Sequence, residues 1–133
     1  MSNTPTKGKV LLLDDDKFLA DMYSMKFVQS GYDVTACLSV DDAIAALKGG
    51  FVPEAVLFDI VMPVHDGFSF LQKLRDEKLA EGAIKIALTN QSDDEEQKKA
   101  KDLGADRYII KASMIPSEVV NIVGEEIGKK AAR

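Results

Sequence analysis

The 133-residue sequence predicts a doubly wound α/β domain, in which a five-stranded parallel sheet carries five helices on its two faces. Five short apolar runs of the kind found in strands buried on both faces alternate with five segments of helical periodicity. The connections between them are short, and right-handed crossovers of this kind pack helices against a parallel sheet. We therefore expect one domain built around one sheet.

The predicted strands rest on short apolar runs. The first run is VLLL, directly before three aspartates, and the third is AVLF, directly before Asp59. Runs of this length fit strands that are buried on both faces. In chain order the predicted strands are Val10–Leu13, Val34–Cys37, Ala55–Phe58, Ile84–Leu88 and Tyr108–Ile110.

The predicted helices rest on apolar residues spaced at steps of three or four. Phe68, Leu71 and Leu74 are one such series, and this spacing places them on one face of a helix. In chain order the predicted helices are Phe18–Ser30, Val40–Lys48, Phe68–Leu79, Glu95–Leu103 and Pro116–Lys129.

Capping residues support these boundaries. Ser39 and Ser92 stand at N-cap positions, and Ser92 with Glu95 has the pattern of a capping box, whose reciprocal bonds satisfy two free amides. Helices commonly end at a glycine in the left-handed conformation. The glycines predicted in that role are Gly31, Gly49 and Gly104.

Composition limits the class of protein. With 46% hydrophobic and 29% charged residues, the chain is typical of a soluble globular domain, and it has no apolar run long enough to span a bilayer. A net charge of −5 argues against a nucleic-acid surface, which normally has a basic patch. The polar start lacks the apolar segment of a signal peptide, so we expect a cytoplasmic protein without membrane insertion. The single cysteine, Cys37, is predicted to be a buried packing residue.

Charged and hydroxyl side chains stand just beyond four of the predicted strands. In open α/β sheets, binding sites form outside the carboxyl ends of the strands, so we expect these residues to converge. They are Asp14 and Asp15 after the first strand, Asp59 after the third, Thr89 after the fourth and Lys111 after the fifth.

The acids among these residues predict a Mg²⁺ site. Adjacent carboxylates repel one another, and a bound cation turns that repulsion into attraction. Mg²⁺ prefers oxygen ligands and often binds one or two carboxylates together with a phosphate oxygen, which suits Asp14, Asp15 and Asp59. Asp16 has a different predicted role, because it directly precedes a helical segment and can cap its free amides.

Asp59 is also the best candidate for a nucleophile. A carboxylate can form an acyl phosphate when a phosphoryl donor is aligned and the developing charge is neutralised. Asp59 has no adjacent acid, and the chain turns immediately after it at DIVMPVHDG. Lys111 can pair with one phosphoryl oxygen as a point charge, and Thr89 can donate its hydroxyl to another.

Over its whole length the chain resembles the receiver domain of two-component response regulators. The resemblance is carried by LLLDDD, FDIVMPVHDG, LTN and GADRYIIKA, and by intervals of 44, 30 and 52 residues from Asp15 to Asp59, Asp59 to Thr89 and Asp59 to Lys111. It implies the flavodoxin-like receiver fold with strand order 2-1-3-4-5. It also implies a receiver domain over residues 9–130, a flexible N-terminus over residues 1–8, a tail over residues 131–133 and no output domain.

The resemblance also implies roles for individual residues. Asp59 would be the phosphoacceptor, and Mg²⁺ would bind the Asp15 and Asp59 side chains and the Val61 carbonyl, with Asp14 reaching it through water. Lys111 would sense the phosphoryl group. Thr89 and Tyr108 would couple phosphorylation to a conformational switch on the surface formed by the fourth helix, fifth strand and fifth helix.

The implied partners are a sensor histidine kinase or phosphotransfer protein and a downstream protein target, without direct nucleic-acid binding. We expect a monomer or a phosphorylation-dependent homodimer. The chain would not be an enzyme, since its phosphoryl transfer and autodephosphorylation are directed at itself.

Three residues depart from the family pattern. Lys111 is followed by Ala112 where the family usually has proline, often after a cis bond; a cis bond here would carry a strain of roughly 3–4 kcal/mol. Asn90 replaces the very small residue that usually follows the threonine, and could narrow access to the phosphoryl group or donate to it. Val61 cannot orient an attacking water, which predicts slow autodephosphorylation that Val61→Asn would test.

Two other functions stay open at the level of sequence. Asn90 and Ala112 motivate a receiver-like scaffold that docks partners without phosphorylation. The spacing of Asp14 and Asp16 formally matches the DxD arrangement of small aspartyl-phosphate phosphatases of the haloacid dehalogenase type, although the chain has no cap or extra length for a substrate.

Overall fold

A computed structural model describes residues 7–62, 64–90, 93–111 and 114–131 of the chain. Over these ranges, strands and helices alternate from one end to the other. The elements are β1 (Lys9–Leu13), α1 (Lys17–Gln29), β2 (Asp33–Cys37), α2 (Val40–Lys48), β3 (Ala55–Asp59), α3 (Gly67–Asp76), β4 (Ile84–Thr89), α4 (Asp94–Asp102), β5 (Arg107–Ile110) and α5 (Pro116–Ala131).

The five strands form one parallel sheet in the order β2-β1-β3-β4-β5. Leu11 of β1 lies opposite Thr35 of β2 on one side and Val56 of β3 on the other. Strand order therefore reverses at β1 and β3, and the crevice of an open α/β sheet forms at such a reversal. The predicted fold class and strand order are confirmed.

The core consists of two apolar layers, one on each face of the sheet. Successive strand side chains point to opposite faces, so Val10 and Leu12 pack in one layer while Leu11 and Leu13 pack in the other. The layer of Val10 includes residues of α1 and α5, and the layer of Leu11 includes residues of α2, α3 and α4. Cys37 is buried in this second layer, as predicted.

Most predicted boundaries hold to within one or two residues. Asp16 caps α1, its carboxylate accepting from the amides of Phe18 and Leu19 at 3.0 and 3.2 Å, and Ser39 caps α2. Helix α3 ends at Asp76 rather than at Leu79, because Lys78 and Ala80 have φ angles of 55° and 51° that no α-helix can continue.

Two capping predictions were wrong. The N-cap of α4 is Asp93 rather than Ser92, and its carboxylate accepts from the amides of Glu95 and Glu96; the predicted capping box between Ser92 and Glu95 involves a residue outside the described ranges. After α2 the left-handed position is held by Gly50, with φ 108°, while Gly49 is still right-handed at φ −77°. Gly31 and Gly104 have the predicted positive φ.

Within the ranges that the structure describes, no helix is both long and apolar enough to cross a membrane. Most of the predicted flexible N-terminus, together with residues 132 and 133 of the predicted tail, lies outside those ranges. The domain bounds given above therefore stay a prediction.

Candidate functional site

The predicted site residues lie at the carboxyl edge of the sheet, on four neighbouring strands. Asp59 and Thr89 are the last residues of β3 and β4, and Asp14 and Lys111 directly follow β1 and β5. Asp14 still takes part in the sheet ladder, since its amide donates to the Cys37 carbonyl at 3.1 Å. The sheet thus fixes the backbone of each residue before any side chain makes a contact.

The centre of the site is a buried ammonium between two carboxylates. Lys111 Nζ lies 3.0 Å from Asp14 Oδ2 and 3.1 Å from Asp59 Oδ2. All three side chains are at least nine-tenths buried. Breaking such a pair leaves an uncompensated buried charge, so each partner constrains the other two.

The three consecutive aspartates occupy three different environments. Asp14 is fully buried, and its second oxygen, Oδ1, accepts from the Asp16 amide at 3.0 Å. Asp15 is exposed and contributes an oxygen to the acidic cluster, and Asp16 caps α1. The repulsion that the sequence implies is therefore reduced by a lysine, an amide and a helix terminus.

Burial decides the protonation preference of Asp59. Removal from water raises the pKa of its carboxyl above the ordinary value, while the charge and hydrogen bond of Lys111 oppose that shift and the charge of Asp14 adds to it. Burial alone would lower the pKa of Lys111, but the attraction and hydrogen bonds of Asp59 and Asp14 together outweigh burial and raise it. The ammonium is therefore held charged, whereas the Asp59 carboxylate is under-compensated.

The acidic cluster fits a small divalent cation. Asp14, Asp15 and Asp59 each offer a carboxylate oxygen, and these oxygens all lie within 4.8 Å of one another. Opposite ligands of an octahedral Mg²⁺ are about 4.2 Å apart, and hard carboxylate oxygens are the donors this ion prefers. Both oxygens of Asp14 and both oxygens of Asp59 already accept hydrogen bonds, whereas Asp15 is exposed and its carboxylate can turn toward the ion.

The turn after Asp59 is set by Gly67, the first residue of α3. The Gly67 amide donates to the Ile60 carbonyl at 2.8 Å. A Cβ at this position would lie 2.7 Å from both the Asp59 carbonyl oxygen and the Ile60 Cα, a distance that side chains do not tolerate against backbone. Only glycine lets α3 start this close to the end of β3.

The predicted neighbouring residues have distinct positions. The Val61 amide donates to Asp59 Oδ1 at 3.3 Å, and the Val61 side chain is 62% exposed at the edge of the site. Asn90 is exposed directly after β4. Ala112, and with it the peptide bond to Lys111, lies outside the described residues. The predicted roles of the Val61 carbonyl, Asn90 and Ala112 stay predictions.

The structure adds one residue that the sequence did not single out. Glu96, in the first turn of α4, accepts a hydrogen bond from the Thr89 hydroxyl at 2.9 Å and another from the Tyr108 hydroxyl at 2.7 Å, both on Oε1. Burial and the bond to Glu96 raise the pKa of Tyr108 to about 12, against an opposing hydrogen bond with Thr89. The two predicted switch residues are thus joined through one carboxylate.

A family model described as the response regulator receiver domain matches residues 10–123. The chain belongs to the response regulator receiver domain family. Members of this family act in two-component signalling, they depend on Mg²⁺, and they interact with histidine kinases or phosphotransfer proteins.

Individual proteins that are similar to this chain support its assignment to this family. The chain is 30% identical over 109 residues to the DNA-binding dual master transcriptional regulator RpaA of Synechocystis, covering 77% of this chain and 42% of RpaA. It thus spans less than half the length of the curated relatives it matches.

Solved receiver domains superpose along almost the whole chain. A CheY-like response regulator receiver domain protein from Methanospirillum hungatei matches with a TM-score of 0.83 at 25% identity, covering 93% of this chain and 96% of that one. The receiver domain of the Francisella response regulator 1452 matches with a TM-score of 0.76 at 28% identity, covering 90% and 98%.

Proposed function

We propose that this receiver domain accepts a phosphoryl group on Asp59 and thereby switches a protein-binding surface. The donor would be a phosphohistidine of a sensor histidine kinase or phosphotransfer protein, or a small phosphodonor. The observation that carries the proposal is the buried Asp59 carboxylate, 3.1 Å from the Lys111 ammonium, with oxygens of Asp14 and Asp15 within 4.8 Å of its own.

The chemistry is one in-line displacement. An Asp59 oxygen attacks phosphorus, the bond from phosphorus to the imidazole nitrogen breaks, and the imidazole leaves with the electron pair and takes up a proton. The product is an acyl phosphate on Asp59. Lys111 stays close enough to pair with a phosphoryl oxygen, and Mg²⁺, when held by Asp15, Asp59 and the Val61 carbonyl with Asp14 through water, supplies charge neutralisation.

The switch follows from the charge that the phosphoryl group adds. A phosphoryl dianion on Asp59 competes for the hydrogen bond that the Thr89 hydroxyl donates. Tyr108 shares a hydrogen bond with Thr89 and is therefore affected by the same change. We propose that the surface of α4, β5 and α5 then changes its fit to a downstream protein. Since the phosphoryl group stays on the chain itself, no external substrate is turned over, and the chain is not an enzyme in that sense.

Labelling with a small phosphodonor tests the proposal directly. The full chain is incubated with phosphoramidate or acetyl phosphate, with and without Mg²⁺, and its intact mass is recorded. We expect the addition of one phosphoryl group that depends on Mg²⁺ and is lost in Asp59→Asn.

Asp16→Asn is the matched control, because it removes a carboxylate from the same DDD run but keeps a good N-cap. This variant should still be labelled. Labelling of Asp59→Asn, or none of the wild type, would overturn the proposal. A folded wild type that resists labelling yet binds a partner would support the docking scaffold, and turnover of small phosphate esters would support the phosphatase.

A cytoplasmic location and a monomeric or phosphorylation-dependent dimeric state stay predictions from the sequence.

A further inference from the structure

The group of Glu96, Thr89 and Tyr108 joins three elements through one oxygen atom. Glu96 Oε1 in α4 accepts from the hydroxyl at the end of β4 and from the hydroxyl on β5, at 2.9 and 2.7 Å. Thr89 is fully buried, and Glu96 and Tyr108 are half-buried. Hydrogen bonds to an ionised acceptor are about twice as strong as those between neutral groups, so these two bonds hold α4 firmly against β4 and β5.

The position of Glu96 is itself fixed by the start of α4. The Asp93 carboxylate accepts from the Glu96 amide at 3.2 Å and from the Glu95 amide at 3.0 Å. Ala100, one turn after Glu96, is the buried residue of α4 among those that the structure describes. Residues four apart share a helix face, so Glu96 lies on the face that α4 packs against the sheet.

A hydroxyl group has a single proton to donate. While Thr89 donates to Glu96, it cannot donate to a phosphoryl oxygen on Asp59. The two acceptors are both anionic, and they therefore compete for one donor.

We propose that Glu96 is a latch for the unphosphorylated state, which must release the Thr89 hydroxyl before that hydroxyl can bind the phosphoryl group on Asp59. This inference rests on the proposed function and adds a residue that sets the equilibrium between the inactive and the active conformation. If the hydrogen bond between Thr89 and Glu96 is weakened, the state in which Thr89 can bind the phosphoryl group becomes more populated, by a factor set by the free energy lost from that bond.

The test compares Glu96→Gln with Glu95→Gln. Glutamine keeps the length of the side chain and an acceptor oxygen but loses the charge; Glu95 is the exposed neighbour on the same turn. Each full-length variant is titrated with beryllium fluoride, a phosphoryl analogue, in the presence of Mg²⁺, and binding is followed in amide spectra. We expect Glu96→Gln to bind the analogue roughly fivefold more tightly than wild type, as expected when a charged hydrogen bond is replaced by a neutral one. Glu95→Gln should bind as the wild type does.

A Thr89→Ala background separates the latch from a general charge effect. Without the hydroxyl there is nothing to release, so adding Glu96→Gln to Thr89→Ala should bring no further gain in affinity. A gain of equal size in both backgrounds, or equal affinities of Glu96→Gln and Glu95→Gln, would overturn the latch.

A second measurement needs no phosphoryl analogue. The ring-carbon signals of the tyrosines are followed as a function of pH, and the pKa of Tyr108, held at about 12 in part by Glu96, should fall in Glu96→Gln and stay in Glu95→Gln. An unchanged pKa in Glu96→Gln would show that the contact does not exist. If the wild type does not bind the analogue at all, the proposed function fails and the latch fails with it; if it binds and the variants do not differ, only the latch fails.

Discussion

The negative charge of Asp59 is only partly compensated at the site. The cluster holds three carboxylates against one ammonium, and Lys111 is shared between Asp14 and Asp59. Because the folded state raises the pKa of Asp59 above its ordinary value of 3.8, the stability that this group contributes is complete below pH 3.8 and is lost as pH rises through its folded pKa. At neutral pH the ionised carboxylate therefore destabilises the fold.

Asp59→Asn should consequently melt at a higher temperature than wild type at pH 7 in the absence of divalent ions. Asparagine has the shape of the protonated acid, and Lys111 keeps Asp14 as its partner. A gain of about 1 kcal/mol corresponds to roughly 3–5 °C for a domain of this size. Thermal melts followed by circular dichroism, with EDTA and then with Mg²⁺, measure this gain.

Magnesium should raise the melting temperature of wild type more than that of Asp59→Asn, and so narrow the difference between them. A variant that melts below wild type in EDTA would show that Asp59 is fully compensated by Lys111, contrary to this account.

Val64 is a second residue held in an unfavourable state. It has φ 67° in the turn between β3 and α3, and its side chain is 94% exposed. The left-handed conformation costs a β-branched residue on the order of 1–2 kcal/mol, and no packing offsets that cost. Asparagine adopts this conformation more readily, so Val64→Asn should raise the free energy of unfolding by roughly 0.5–1.5 kcal/mol in urea denaturation.

Val52→Asn is the control for this change, because Val52 is also exposed, at 74%, but does not have a positive φ. It should change stability little. Equal effects of the two substitutions would mean that the conformation of Val64 is not strained.

At the scale of elements, the contact between β3 and the start of α3 tolerates no side chain. The Cβ of an alanine at position 67 would lie 2.7 Å from the backbone of Asp59 and Ile60, and backbone cannot turn aside as a side chain can. Gly67→Ala should therefore lower the free energy of unfolding by about 2 kcal/mol or more. It should also weaken Mg²⁺ binding, since the strand end that carries Asp59 must shift.

Gly128→Ala makes the same chemical change in α5, where a Cβ meets nothing within 4 Å. Alanine favours a helix interior over glycine by about 1 kcal/mol, so this control should be stabilised. Urea denaturation and Mg²⁺ titration of both variants would contradict the packing argument if Gly67→Ala matched Gly128→Ala.

The elements themselves were predictable because both periodicities are strong in this chain. Apolar runs such as Val56–Phe58 are typical of strands buried on both faces, and α2 was predicted over its full extent. The capping errors occurred where two neighbouring residues could serve equally well. Asp93 took the capping position that Ser92 could also fill, and Gly50 took the left-handed position beside Gly49.

At the scale of the whole molecule, parallel topology explains why most of the site could be predicted. Asp14 and Lys111 are 97 residues apart, yet both follow strands whose carboxyl ends share one edge. Glu96 was not predicted as a site residue because it belongs to the run DDEE, in which the sequence alone suggests that all four acids are solvated. Its distance of one helical turn from Ala100 was a usable signal, but the burial of Ala100 depends on tertiary packing.

The stability of the whole molecule should fall at alkaline pH. Folding raises the pKa of several groups that are neutral or cationic at pH 7: Tyr23, Tyr32, Cys37, Tyr108 and Lys111. Folding lowers the pKa of Lys85, because burial outweighs its neighbouring acids. Each group whose pKa is raised on folding stabilises the fold below its ordinary pKa, and this stabilisation is lost as pH rises through its pKa in the folded state.

The decline should begin near pH 9 with Cys37, whose pKa rises from 9.0 to about 11 on burial, and continue through the phenol of Tyr108 from 10.0 to about 12. In urea denaturation at stepped pH, we expect a plateau from pH 7 to pH 9 and a steady fall above it. Cys37→Ala should move the onset toward pH 10, and Tyr108→Phe should reduce the slope beyond that point. The prediction would be wrong if the free energy of unfolding stayed constant or rose between pH 9 and pH 11. Either these groups would then have the same pKa in the folded and the unfolded chain, or the opposing contribution of Lys85 would exceed theirs.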